Sequence, residues 1–295
     1  MMGGINLKYS YVTDYKNNDR LRHSFNELIE KTFDFNFVEW FDNGFWSEKY
    51  IPCSLVDRYK IIANVSVNLM DFNRDGTEKH YMQIGTVMTD EEYRGQGLSR
   101  YLMERVIAEY EGKVDGIYLF GGDNVVHFYS KFGFIRGTEY QYSKVVKVAN
   151  QKMQVEHVNM ADKTRRQNFI DAIKNSVSNE RFSKDNFGLN AFWATGPLRD
   201  LVYYHTDEDA YVIADRKKDD LLIHQMISTH KVDLEKITSS FGSSIKKVTL
   251  GFTPNEANGY EVREFHKEDC TFFYLGKDLE NIGEKKLIFP TLSHA

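Results

Sequence analysis

Between a β-like run and an amphipathic one, the last four residues before the second, Arg94-Gly95-Gln96-Gly97, have types and spacing that suit an anion. The run before them is Ile84–Thr89. The run after them, Leu98 to about Tyr110, stacks Leu98, Leu102 and Val106 on one helical face, with Met103, Ile107 and Tyr110 beside them. A helix N-terminus leaves backbone N–H groups unpaired and carries partial positive charge. Glycines there let the backbone approach an anion with no Cβ between them. Arg94 and Arg100 add mobile charge. The pattern predicts a phosphate cradle, although two glycines taken alone more often serve an ordinary strand-to-helix turn. It is not a Walker loop, since no Gly-Lys-Ser/Thr follows. Nor is it a dinucleotide fingerprint: the third glycine is missing and the strand belongs to a hairpin.

A second cluster, His127 to Phe134 (HFYSKFGF), follows a predicted strand at 116–120. Tyr129 stands in it. By itself a tyrosine there is more often a packing residue. On the strand before the glycine turn, His80, Tyr81 and Gln83 are within reach of an acceptor. Alternation puts Tyr81, Gln83, Gly85 and Val87 on one face and His80, Met82 and Ile84 on the other. A histidine titrates near neutrality but is usually a surface or packing residue. The general base stays open among His80, Tyr81, Gln83 and water.

The elements that must position these groups read as follows. INLKYSYV is a strand, and an amphipathic helix carries Leu21, Phe25, Leu28, Ile29 and Phe33 on one face. Two strands flank Asp75-Gly76, a hairpin signal. The helix from Leu98, the strand GIYLF, the helix DNVVHFYSKF ending at Gly133 and a long strand at 134–148 complete the first half. A hydrophilic connector near Ala149–Lys152 is the expected boundary, giving domains at 1–148 and 152–295. The second half repeats strand, turn, strand, helix, strand (AYVIADR, KKDD, LLIHQMIST, DLEKITSSF, IKKVTLGF). TPNEANG then replaces the second helix with a loop, before strands near 260–265 and 271–275. The expectation is a duplicated α/β domain whose second copy has lost parts. Between LLIHQMIST and its helix stand only His230, Lys231 and Val232, with no glycine.

Composition bounds the rest. The chain has 295 residues, enough for two cores, and its 41% hydrophobic and 27% charged content excludes disordered and fibrous classes. Its 38 basic and 43 acidic residues give a net charge of −5, which argues against a nucleic-acid face. Cys53 and Cys270 form neither a disulfide framework nor a C-x-x-C pair, so no metal site is expected. With no apolar run near ~18 residues and no signal-like start, a cytoplasmic protein without membrane partners is expected.

YRGQGLSRYL resembles the pyrophosphate loop of the GNAT superfamily of acyl-CoA-dependent N-acetyltransferases, whose pattern is Gln/Arg-x-x-Gly-x-Gly/Ala. Arg94 and Gly97 match, and Ser99 takes the Gly/Ala place. FYSKFGF is similar to the family's second signature, through Tyr129, Gly133 and Phe134. The resemblance covers roughly the first 146 residues. It implies tandem GNAT-like mixed-sheet domains, the N-terminal one intact and the C-terminal one degenerate. It further implies acetyl-CoA as co-substrate, held by Arg94, Gly95, Gln96, Gly97, Leu98, Ser99 and Arg100, with Val87 and Met88 as backbone donors to the acyl group. Where the family often has an asparagine on the pantetheine arm this chain has Gly122, and Asn124, two residues on, is carried instead. Tyr129 takes the place of the acid that protonates the departing thiolate. The implied reaction is acetyl transfer to a small-molecule or peptide amine by direct attack on the thioester. A silent acyl-CoA-binding regulator and a tandem aminoacyl transferase remain the alternatives.

Overall fold

The computed structural model describes residues 8–122, 125–148 and 153–294. In chain order the first part runs β1 (Ser10–Thr13), α1 (Asp19–Phe33), α2 (Val38–Asp42), β2 (Tyr50–Asp57), β3 (Lys60–Arg74), β4 (Thr77–Thr89), α3 (Leu98–Tyr110), β5 (Gly116–Gly121), α4 (Val126–Ser130), β6 (Ile135–Arg136) and β7 (Glu139–Val145). The rest runs β8 (Val155–His157), α5 (Lys163–Lys174), β9 (Phe182–Asp185), α6 (Phe187–Thr195), β10 (Val202–His205), β11 (Ala210–Lys217), β12 (Asp220–Ile227), α7 (Leu234–Ser240), β13 (Lys247–Leu250), β14 (Glu261–Phe265), β15 (Thr271–Leu275) and α8 (Asn281–Glu284). The Ala149–Lys152 connector lies outside the described residues, as do Ile5 and Leu7 of the first expected strand.

Two mixed sheets result. The first has the order β1-β2-β3-β4-β5-β15-β6, with β9 added to the far end of β3. The second has the order β14-β7-β13-β12-β11-β10-β8. The repeated order seen in sequence is present in space. Hairpin β3–β4, then α3, then β5 parallel to β4, is matched by hairpin β11–β12, then α7, then β13 parallel to β12. The β3–β4 turn uses Asp75 and Gly76 at φ +51° and +82°, the two left-handed residues that a tight hairpin requires.

The single long strand expected at 134–148 is not one strand. It breaks after Arg136, so β6 stays in the first sheet while β7 joins the second. The break falls at Gly137, where a Cβ would stand 2.3 Å from the Phe272 ring. Only glycine permits that approach, and Phe272 belongs to β15, which enters the first sheet from the C-terminal part between β5 and β6. The first sheet therefore borrows β9 and β15 from the second part of the chain, and the second sheet borrows β7 from the first. β6 is only two residues long and both are exposed, and β7 alternates only weakly, so nothing periodic marks the crossing.

The parts meet through two apolar clusters. One sets Phe25, Phe37, Trp40 and Trp46 of the α1–α2 region against Phe169, Ile170 and Val202. The other sets Met70, Phe72, Tyr81 and Tyr118 against Phe182, Leu279, Leu287 and Phe289, with Phe72 stacked on Phe182 at 4.6 Å and Tyr118 on Phe289 at 4.4 Å. At the edge of the second cluster Asp278 receives two bonds from the Arg74 guanidinium, both at 2.9 Å, one from Tyr81 at 2.6 Å and one from Lys79 at 2.8 Å. Burial pushes the Asp278 carboxyl up, but these donors outweigh it and pull its pKa down to about 2. A carboxylate depressed by folding stabilises above its unfolded pKa, and that stability is lost as pH falls through the folded one. The Tm difference between wild type and Asp278→Asn is therefore expected to be largest above about pH 4 and to shrink toward pH 2. Melting curves across that range check it; a difference independent of pH would show that the charge is not what holds the joint.

Candidate active site

The glycine turn lies between the end of β4 and the start of α3. Asp90 closes β4, accepts from the Glu92 N–H and caps a short 3-10 turn, Glu91–Tyr93. It is held by Lys60 at 3.1 Å and Lys31 at 3.9 Å, tying the turn to β3 and α1. Gly95 and Gly97 follow at φ +77° and +75°, conformations that side-chain-bearing residues rarely adopt. Gly97 is the N-cap of α3 and offers no side-chain cap, and the first turn carries no acidic residue. Among the described helices of seven residues or more, the others all have a capping side chain: Asn18, Asp162, Asn186 and Asp233. The first N–H groups of α3 are left for another acceptor.

A cavity of about 370 Å³ opens against this turn. It is lined by Val87, Met88, Thr89, Arg94, Gly95, Gly97, Leu98, Ser99 and Arg100, and also by Thr32, Tyr93 and Phe128. Arg94 pairs with Glu91 at 3.3 Å and Arg100 with Glu104 at 2.8 Å, all of them exposed. Exposed pairs of this kind contribute about 0–1 kcal/mol, so both guanidinium groups are free to turn to a bound anion. Ser99 joins the cavity's walls, its hydroxyl 2.5 Å from Thr89 Oγ1. Gln96 lies off the cavity and accepts from the Tyr9 hydroxyl at 3.0 Å. Asn124 lies outside the described residues.

The β4 wall departs from a regular strand. Its register with β3 shifts between Asn64↔Met88 and Ser66↔Gly85, so Thr86 and Val87 face the single residue Val65. Thr86 sits at φ +43°. This is a β-bulge. It reverses the expected facing: Val87 packs with Met82 and Ile84 rather than with Tyr81 and Gln83, because one extra residue flips the alternation. The parallel pairing of β4 with β5 runs only from Tyr81↔Gly116 to Ile84↔Leu119. Beyond Ile84 the two strands splay. The Asp90 N–H bonds back to Ile62 O at 2.9 Å. Alternation from that bond turns the Met88 N–H toward β3 and the Val87 and Thr89 N–H groups toward the splay.

Tyr129 is 7% exposed on α4. Its ring lies over Gly121, where a Cβ would meet it at 2.8 Å, and against Phe134 and Phe273. Phe128 rather than Tyr129 lines the cavity. Burial pushes the Tyr129 hydroxyl up to about 12. Three other residues on β4 are engaged elsewhere. Tyr81 bonds Asp278 and Arg74, Gln83 is fully buried beside the Tyr118 hydroxyl, and His80 Nδ1 pairs with Asp71 at 2.7 Å near the start of β4. Sequence reasoning missed Thr32 on the cavity wall and the buried polar side chains beneath the bulge. Neither has a motif; they reach the site only through tertiary packing.

The empty space at Gly97 separates two ways in which a substitution acts. A Cβ there would meet no atom within 4 Å, yet φ is +75°. Gly97→Ala is expected to destabilise by about 1–2 kcal/mol through backbone strain alone. Denaturant titration measures it, and a neutral result would show that the turn relaxes.

Residues 17–134 match the model of the acetyltransferase (GNAT) family. Among curated proteins none matches the sequence significantly. Several solved structures share the fold. A conserved Enterococcus faecalis protein has 15% identity and a TM-score of 0.56, covering 94% of this chain and 74% of its own. A GCN5-related N-acetyltransferase from Kribbella flavida has 15% identity and a TM-score of 0.52, covering 90% and 71%. A Pyrococcus horikoshii protein has 12% identity and a TM-score of 0.50 over 99% of this chain and 95% of its own, so the likeness of fold runs through both parts. Among the described residues no helix is long and apolar enough to cross a membrane. Residues 17–134 are a GNAT acetyltransferase domain, with an acyl-CoA-dependent N-acyltransferase fold, and the second sheet fits a tandem arrangement.

Proposed function

We propose that this chain transfers an acetyl group from acetyl-CoA to an amine, at one site formed by β4, α3 and α4. The observation that carries this reading is the uncapped N-terminus of α3, with two left-handed glycines, facing a cavity flanked by two arginines. A pyrophosphate there accepts from the free N–H groups and gains from the helix dipole. The pantetheine arm then follows the splay between β4 and β5. The Val87 N–H, which faces that splay, donates to the acyl oxygen as negative charge develops on it. The amine lone pair attacks the thioester carbon, the C–S bond breaks, Tyr129 gives the sulfur a proton, and water carries the surplus proton of the new amide nitrogen back to the tyrosinate. With its pKa raised by burial, Tyr129 is fully protonated at neutral pH.

We assign the catalytic groups to residues 1–148. Residues 152–295 supply β15 and one side of the acceptor pocket. Several features argue against a second CoA site. The matching helix α7 is capped by Asp233, with Glu235 in its first turn. Lys231 is bonded to Ser178 O and the Val232 N–H to Asn179. The segment around Thr291 lies on Gly251, just beyond β13, with the Thr291 N–H on Gly251 O at 2.8 Å.

Calorimetry with acetyl-CoA is expected to give one equivalent per chain for wild type and none for folded Gly97→Glu, which sets a carboxylate where a pyrophosphate lies. Two equivalents, or unchanged affinity in the variant, would remove the cradle from this reading. Tyr129→Phe keeps the ring and removes the proton. With a panel of primary amines, thiol release is expected to fall by about 10²–10⁴-fold, with CoA affinity little changed. An unchanged rate where chemistry limits turnover would leave Tyr129 as packing only. Wild type that binds acetyl-CoA without releasing thiol would be a binding protein instead, and one that ignores acetyl-CoA would favour an aminoacyl donor.

A further inference from the structure

Thr86 is β-branched, yet it occupies the left-handed region at φ +43°. Such residues avoid that conformation, and it persists only where neighbours over-determine it. Two neighbours do so here. Asn64 Nδ2 donates to Thr86 O at 2.9 Å, and the Tyr50 hydroxyl lies 2.8 Å from Thr86 Oγ1. Asn64 is fully buried and Tyr50 nearly so. Both are fixed in turn. Asn64 Nδ2 also donates to Ser66 Oγ at 2.9 Å, Asn64 Oδ1 accepts from Ser54 Oγ at 2.8 Å, and the Tyr50 hydroxyl meets Ser66 Oγ at 2.9 Å. The Tyr15 hydroxyl closes the far end on Ser54 at 2.7 Å. Every polar atom of the Asn64 side chain is thus engaged beneath the bulge.

The carbonyl of Thr86 and the N–H of Val87 are two ends of one planar peptide, pointing in opposite directions. A donor that holds Thr86 O against Asn64 therefore aims the Val87 N–H away from β3 and into the splay. The same bond polarises the peptide and strengthens that N–H as a donor. We infer that Asn64, steadied through Tyr50 and Ser66, is the positioning residue for the Val87 amide, fixing the Thr86–Val87 peptide so that its N–H meets the acyl oxygen. The inference rests on the acetyl-transfer reading above. It adds a part of the site that no residue on the cavity wall discloses. Asn64 touches neither the glycine turn nor the cavity, so its influence on catalysis separates from nucleotide binding.

The test uses full-length wild type, Asn64→Leu and Tyr50→Phe. Four quantities are measured: Tm, affinity for CoA, kcat for thiol release with primary amines, and the Val87 amide resonance in the free proteins. In Asn64→Leu the CoA affinity is expected to stay within about twofold, because Asn64 does not line the cavity. Its kcat is expected to fall by about 10²-fold, as when an oxyanion donor is lost. The Val87 resonance is expected to move more than those of Tyr81–Ile84, which remain paired to β5. Tyr50→Phe is expected to change the same quantities in the same direction by less. An unchanged kcat in folded Asn64→Leu overturns the inference, as does a loss of CoA affinity equal to the loss of kcat, or an unmoved Val87 resonance. If Asn64→Leu does not fold, Tyr50→Phe carries the same criteria. If wild type itself neither binds acetyl-CoA nor releases thiol, the acetyl-transfer reading fails and the catalytic role of Asn64 falls with it. The Val87 resonance then still reports whether Asn64 holds the peptide.

Discussion

A parallel strand pair can part only if each backbone finds another partner, since buried N–H and C=O groups left unpaired are destabilising. β4 and β5 meet this condition on their outer edges only, and the N–H and C=O groups on the edges that face each other are left to water or a bound molecule. Beyond Ile84, β4 stays paired with β3 through the bulge at Thr86, and β5 stays paired with β15 as far as Gly121. Their facing edges are free to diverge, and the cavity opens where β4 leaves. The bulge alone would not keep β5 straight, and β15 alone would not turn Val87. The geometry of the site thus depends on a strand contributed from 150 residues further along the chain.

The glycine cradle was legible because its physics is local. Gly95 and Gly97 take the left-handed conformations, and Leu98–Tyr110 is the helix that the spacing of Leu98, Leu102 and Val106 implies. The Asp75-Gly76 hairpin and the strand–helix–strand order of both parts were legible for the same reason. The bulge was not. Thr86 is a good strand residue and nothing in its neighbours signals positive φ, so the facing of Val87 came out reversed. Tyr81 and Gln83 look like candidate bases in sequence. The sealing of Tyr81 by Asp278 and Arg74, and the burial of Gln83, are decided by residues up to two hundred positions away.

The exchange of β7 and β15 was illegible for a further reason. Neither strand carries a pattern that names its sheet, β15 being the run TFFYL, and the switch is permitted by one close contact, Gly137 under Phe272. Alternation specifies that a segment is a strand with one buried face. It does not specify which sheet receives it.

The exchange also sets a timetable. Thr271 pairs with Gly121, and Leu275 with Ile117. During synthesis the edge of β5 leaves the ribosome long before its partner does. At about 5–20 residues per second the wait is roughly 8–30 s. Through that interval the nascent chain carries a hydrophobic strand with an unfilled edge, the kind of template that recruits other chains. The cavity can take its final shape only after β15 has docked. The interval before β15 docks, rather than the stability of the finished fold, is then where this architecture is exposed to misassembly.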